Sequence, residues 1–184
     1  MSPTPSEAGI AALAERVRSA TPRAGTTRVV LVDGRSGSGK TAFATRLAGA
    51  LDAPVVELEY LYAGWDGLES GIELLQTAIL EPLAQGLPVS VPRYDWAAGR
   101  WGEPWPLGRP EVLVVEGVGA GVRAAAAHAV LLVWVELPDE ERRQRALARD
   151  GDLYRPHWDR WAAQEEALLS REQTPTRADV TVRP

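Results

Sequence analysis

The chain has 184 residues, 45% hydrophobic and 24% charged, with a net charge of −5 and no cysteine. That balance fits one globular domain and excludes disulfides, thiolate metal sites and a basic surface for nucleic acid or anionic membrane. The longest apolar stretch, Ala124 to Leu137, is interrupted by His128 and Glu136, and the N-terminus lacks a signal-peptide pattern, so a cytoplasmic protein with no nucleic-acid or membrane partner is expected.

Residues 1–25 read as an N-terminal extension and residues 26–184 as the main domain. Met1 to Pro5 carry no structural signal. Ser6 then has the form of an N-cap, with Ile10, Leu13 and Val17 on one helical face as far as Thr21-Pro22. Arg28 to Asp33 is a short β-branched run, the pattern of a strand buried on both faces. A glycine-rich segment and a helix from Lys40 to Leu51 follow. Further strands are expected at Val55–Glu59, Leu87–Val91, Glu111–Glu116, Val130–Glu136 and Ala178–Val182, with helices at Ser70–Ala84, Pro138–Arg149 and Pro156–Arg171. Strands alternating with helices give an α/β fold with a parallel sheet. Pro92 to Pro110, with four Pro, three Gly and three Trp, has no period and reads as a long loop.

The segment after the first buried strand is Gly34-Arg35-Ser36-Gly37-Ser38-Gly39-Lys40-Thr41, a full match to G-x-x-x-x-G-K-[ST] between a strand and a helix. Glycines let backbone N–H groups converge on phosphate oxygens, and the helix N-terminus adds partial positive charge. Lys40 supplies a compact cation for the β- and γ-phosphates, and Thr41 a hydroxyl for Mg²⁺. Composition supports this reading: nineteen of the twenty basic residues are Arg, and the sole Lys stands at this one position. The segment predicts binding of a nucleoside triphosphate.

The reaction class is narrowed by what the sequence lacks. With no Asn and no second Lys, an Asn-Lys-x-Asp guanine-reading segment is excluded. Arg142, Arg143, Arg145 and Arg149 share one predicted helix. They are either a lid that closes over phosphates and excludes water, or a solvated face paired with Glu140, Glu141 and Asp150. Beside the phosphate loop the lid reading is preferred, with Arg142, Arg145 and Arg149 as its working residues.

Four segments in order resemble the uridine kinase-like P-loop nucleoside kinases: Asp33 to Thr41, Glu59-Tyr60-Leu61-Tyr62, Pro92-Arg93-Tyr94-Asp95-Trp96, and Val115-Glu116-Gly117 followed by the arginine-rich Arg142 to Asp150. The resemblance covers residues 28 to 150 and implies a P-loop kinase-type three-layer sandwich with an arginine-bearing lid. It implies transfer of the γ-phosphoryl group of ATP, with Mg²⁺, to a hydroxyl of a small-molecule acceptor, a uridine- or cytidine-like nucleoside. On this resemblance Glu59 takes the place of the family's catalytic base; Glu57, on the same face of the expected strand by alternation, reads as its support. Glu116 takes that of the acid that orders Mg²⁺, with Asp33 as a second candidate. Tyr62, Tyr94, Asp95, Trp96 and Arg100 face the acceptor, and Arg177 lies near the adenine.

Read as a residue alone, Glu59 has a second reading, a cap on the turn after its strand. The tryptophans could stack on a flat ring or simply cover the sheet end. The family's base-reading His after the Tyr-Asp-Phe segment is absent, because the run here is Asp95-Trp96-Ala97-Ala98-Gly99-Arg100. His128 and His157 show no ligand pattern and read as structural. Two alternatives stay open: a kinase for another hydroxyl metabolite such as a sugar, cofactor precursor or antibiotic, and a nucleotide-binding regulatory module.

Overall fold

The computed structural model describes residues 2–3 and 6–183, and Met1, Thr4, Pro5 and Pro184 lie outside the described residues. Strand β2 (Arg28–Asp33) is the middle of the molecule, as its β-branched run requires. Around it stand β1 (Ser2–Pro3), β3 (Val55–Glu57), β8 (Val112–Glu116), β9 (Ala129–Val135) and β10 (Val180–Arg183). Among the described residues these six form one sheet in the order β1-β10-β9-β2-β8-β3, with every pair parallel. After β2 the chain goes first to β3 and back to β8 on one side, then crosses to β9 on the other. The order therefore reverses at β2, and the crevice at its carboxyl end is where ligands bind in such sheets. Ser2–Pro3 corrects the expectation that Met1 to Pro5 carry no structure, since these two residues pair with Val182 and Arg183.

Both faces of the sheet are covered, which gives the expected three layers. Val30 and Val32 of β2 point to one side and pack with Phe43 and Leu47 of α2 (Lys40–Leu51). Ile10, Ala14 and Val17 of α1 (Glu7–Ser19) join the same cluster, so this helix packs into the sheet's core. Ser6 caps α1 as its sequence indicates, its hydroxyl accepting from Gly9 N–H at 3.2 Å. Val29 and Leu31 point the other way, onto Ile72, Leu75, Ile79 and Leu83 and onto Trp158, Trp161 and Leu168. The first four belong to one helical run built from α3 (Leu68–Leu74), a wide π segment Leu75–Leu80 and α4 (Glu81–Ala84). The wide turns come just before Pro82, whose ring and missing N–H cannot continue an ordinary ladder. The other three belong to α7 (Trp158–Glu172).

Two regions differ from expectation. Val89–Val91 (β4) is a strand but not part of the parallel sheet: it pairs antiparallel with β7 (Trp105–Gly108). The segment 92–110 is not an irregular loop, because it also holds the hairpin of β5 (Tyr94–Asp95) and β6 (Arg100–Trp101). Two valines flanking Ser90 do not say which partner they will meet, and two-residue strands are shorter than any pattern can register. The arginine-rich helix α6 (Asp139–Tyr154) bends at Gly151, where φ is +53° and ψ −130°, a conformation glycine alone adopts freely. Short helices α5 (Arg123–Ala126) and α8 (Thr174–Arg177) close the connections to β9 and β10.

Truncating Ile10, buried against α2 and the sheet, tests whether α1 is part of the folding unit. Ile10→Ala is expected to cost about 2–4 kcal/mol in urea unfolding, within one cooperative transition. A variant as stable as the parent would show α1 to be an appendage.

Candidate active site

The phosphate-type loop sits at the carboxyl end of β2 and opens α2, where the sequence places it. Gly37 and Gly39 have φ of +80° and +91°, so both turns need glycine. Space is a second reason at Gly37, where a Cβ would collide with the carbonyl of Arg142. Gly34 is pinned by β9, since its Cβ would stand 2.6 Å from Val135 O. Ser38 is fully buried and its hydroxyl has no protein partner. Arg35 does not point along the loop's inner face. It reaches Glu165 at 3.3 Å and Glu166 at 3.4 Å on α7, and Asp139 at 3.6 Å on α6.

Beside Lys40 and Thr41 stands a group of carboxylates. Glu116 ends β8 and is 4% exposed; its Oε1 accepts from the Thr41 hydroxyl at 2.8 Å, while its Oε2 is buried without a protein partner. A hydroxyl beside a carboxylate oxygen with unused valence is a hard-oxygen donor pair, and it suits Mg²⁺, which takes one or two protein oxygens and completes its shell with phosphates and water. Glu57 faces Glu116 across the β3–β8 pair, and burial, followed by repulsion from Glu116 and Glu59, pushes its pKa up, against the pull of Arg149. Strand β3 stops at Glu57, so Glu59 lies not on the strand but in a 3₁₀ turn over Leu58–Tyr60. Glu57 and Glu59 are therefore not related by strand alternation.

Asp33 does not serve as a second metal-ordering acid. It is fully buried, and its oxygens accept from the N–H groups of Gly34 at 2.7 Å, Gly119 at 2.9 Å and Gly121 at 2.9 Å. It ties the start of the loop to the turn after β8.

One cavity of about 350 Å³ links these groups, running from Ser36, Gly37, Lys40 and Thr41 past Glu116 to Glu59 and Arg149. Its remaining wall is mainly aromatic, from Tyr62, Trp65, Trp96, Tyr154 and Trp161, with Gly117, Val118 and Leu153 between them. Tyr62 packs on Trp161 at 5.0 Å between ring centres, and Trp65 stacks on Tyr154 at 5.1 Å. The Tyr62 hydroxyl donates to Val118 O at 2.8 Å, and burial, with nearby carboxylates, holds its pKa well above the usual value. It is a fixed wall that stays protonated. Trp96 donates its indole N–H to Glu59 O at 3.0 Å, joining the 92–110 segment to the turn that carries Glu59. A wider concavity of about 690 Å³ over β9 and β10, near Trp134, Glu136 and Arg183, contains no residue of the phosphate loop.

Several residues expected at the site lie elsewhere. Arg142 is 3% exposed and sits behind the loop, donating to Ser36 O at 2.9 Å and to Asp139 at 2.5 Å. Arg145 is exposed on α6 away from the cavity lining, whereas Arg149 does line it. Tyr94, Asp95 and Arg100 build the β5–β6 hairpin outside the lining, and Asp95 accepts from the N–H groups of Ala97 and Ala98 within its turn. Arg177 is bound to Glu172 O at 2.8 Å and Gly121 O at 2.7 Å, so its guanidinium serves the connection into β10. Sequence reasoning missed Tyr154, Trp161 and Glu165. Trp158, Trp161, Glu165 and Leu168 form one helical stripe at spacings of three and four, and a carboxylate inside such a stripe is the signal that was there to find.

No protein-family model matches the sequence, and no curated protein does. Solved structures do match. The chain aligns over 94% of its length, and 96% of the other, with a protein from Bacillus stearothermophilus described as a possible uridine kinase, at 20% identity and a TM-score of 0.67. It aligns over 95% of its length, and 98% of the other, with a candidate fructose transport system kinase from Silicibacter sp. TM1040, at 21% identity and a TM-score of 0.58. Among the described residues no helix is long and apolar enough to cross a membrane.

Asp33 gives this site a pH signature. Burial pushes its pKa up from 3.8 to about 6, despite three N–H donors and Lys40. The folded chain thus holds a proton that the unfolded chain releases, so this group's contribution to stability is present below pH 4 and is lost as pH rises to 6. The stability difference between the parent and Asp33→Asn is expected to narrow by about 2 kcal/mol between pH 4 and 7 in urea unfolding. A difference independent of pH would contradict it.

Proposed function

We propose that this chain, which has the fold of the uridine kinase-like P-loop kinases, transfers the γ-phosphoryl group of ATP to a hydroxyl of a small molecule, a nucleoside of the uridine or cytidine type. The observation that carries this reading is the cavity that begins at Lys40 and Thr41 and ends between Glu59 and the aromatic wall. A phosphate cradle and a carboxylate on one cavity are what phosphoryl transfer to a hydroxyl needs, because its catalysis is positioning and charge stabilisation.

In this mechanism the backbone N–H groups of Gly37 to Thr41 and the Lys40 ammonium bind the phosphates. Thr41 and Glu116 hold Mg²⁺, which when bound shields the phosphate charge. Glu59 accepts the proton of the acceptor hydroxyl as its oxygen forms the bond to the γ-phosphorus and the bond to the ADP oxygen breaks. Arg149, and Arg145 on the same helix once the lid closes, counter the charge on the transferring group.

The walls also bear on the acceptor. Lys40 and Arg149 are the cations of the lining, set against Glu59 and Glu116. An acceptor with its own phosphate would call for more donors of the arginine type. A neutral compound with a flat ring matches Trp65, Trp96 and Trp161 better.

Glu59→Gln separates the base from the cradle. It is expected to leave MgATP binding intact and to lower kcat by roughly 10²–10⁴-fold, read in parallel by calorimetry and steady-state kinetics. Unchanged kcat would remove Glu59 from the base role.

A further inference from the structure

All three polar groups of Ser36, in the middle of the phosphate loop, are taken by the two helices behind it. Its N–H donates to Glu165 Oε1 at 2.9 Å, its hydroxyl accepts from Trp161 Nε1 at 3.0 Å, and its carbonyl accepts from Arg142 Nη1 at 2.9 Å. Glu165 is the centre of this arrangement. It is 1% exposed, and besides Ser36 it accepts from Trp161 Nε1 at 3.0 Å and Arg35 Nε at 3.3 Å, with Arg142 Nη1 at 4.0 Å. A buried carboxylate is costly unless its lone pairs are filled, and here two guanidinium groups, one indole and one backbone amide surround it.

The consequence falls on the loop. Free N–H groups that point at one spot repel each other, and a flexible loop would turn them away until an anion arrives. Holding them in place beforehand reduces the ordering cost of binding. Ser36 immediately precedes the amides of Gly37 to Thr41, so fixing its N–H and carbonyl fixes the direction in which those amides start. We propose that Glu165 is a positioning residue for nucleotide binding: from α7 it holds the phosphate loop in its binding shape through Ser36 and Arg35. The proposal rests on the nucleotide-binding reading of the loop. Trp161 extends the brace, because the ring that lines the acceptor side of the cavity donates to both Ser36 and Glu165.

The test uses the full chain as parent, Glu165→Gln, Glu165→Ala and Lys40→Ala. MgATP affinity is measured by calorimetry, thermal melting without nucleotide, and amide hydrogen exchange across the loop. Glu165→Gln keeps the shape and one acceptor oxygen but loses the charge. It is expected to bind MgATP about tenfold more weakly, the usual worth of a charged hydrogen bond. Its melting should stay near the parent's, and exchange should quicken at Ser36 to Gly39 but not in β2. Parent-like affinity and loop exchange in Glu165→Gln would overturn the proposal. So would weaker binding that comes with loosening throughout the sheet, which would mean that Glu165 serves the fold as a whole. If the parent itself fails to bind MgATP, the nucleotide reading falls and takes the proposal with it. Glu165→Ala, if it folds, should lose more affinity than Glu165→Gln, and the reverse order would count against the brace.

Discussion

Backbone N–H groups between Gly34 and Thr41 can converge on a phosphate only where the loop has no Cβ at Gly34 and Gly37. Two neighbours press on it. Val135 at the end of β9 closes on Gly34, and the Arg142 carbonyl of α6 closes on Gly37. Both contacts depend on β9 lying next to β2, which the parallel order of the sheet provides. The continuous apolar runs of β2, β8 and β9, buried on both faces, are thus the reason the loop is held at one place.

The same arrangement divides the site into an anion-binding side and an acid side. Lys40, the loop amides and the start of α2 supply positive potential. Glu116, Glu57 and Glu59 stand at the ends of β8 and β3 and in the turn after β3, where burial and then repulsion from the other two hold Glu57 above its usual pKa. Repulsion within such a group is tolerated where a cation and a phosphate chain come between its members. The unfilled Glu116 Oε2 marks the point at which a cation would relieve it. Aromatic rings from three separate segments, 62–65, 96 and 154–161, then close the cavity beyond Glu59.

Sequence alone made the anion side legible, because a phosphate loop needs its residue types at fixed spacing and the strand and helix flanking it are long and strongly patterned. The acid side was half legible. Glu116 and Glu59 stand out as carboxylates following buried apolar residues, but the 3₁₀ turn that carries Glu59 is a detail of three residues. Rotation about a helix axis decides whether an arginine faces solvent, cavity or loop, and spacing does not give that rotation relative to the rest of the fold. Position along the axis matters as well: Arg149 reaches the cavity, while Arg142, about two turns earlier on nearly the same helix face, is locked behind Ser36. The hairpin of 92–110 escaped for another reason: its pairing is held by turns and by rings such as Tyr94 on Trp101, at 5.4 Å, with no periodic apolar face.

The central claim is that the loop and the acid side act on one acceptor in one cavity. Its most direct test is ADP release from MgATP by the purified chain, measured across nucleosides, nucleotides, sugars and cofactor precursors, with Lys40→Ala beside it. The account predicts release that needs both a hydroxyl acceptor and Lys40, with uridine or cytidine among the acceptors that support it. Release at the same rate without any acceptor, or equal release by Lys40→Ala, would contradict it.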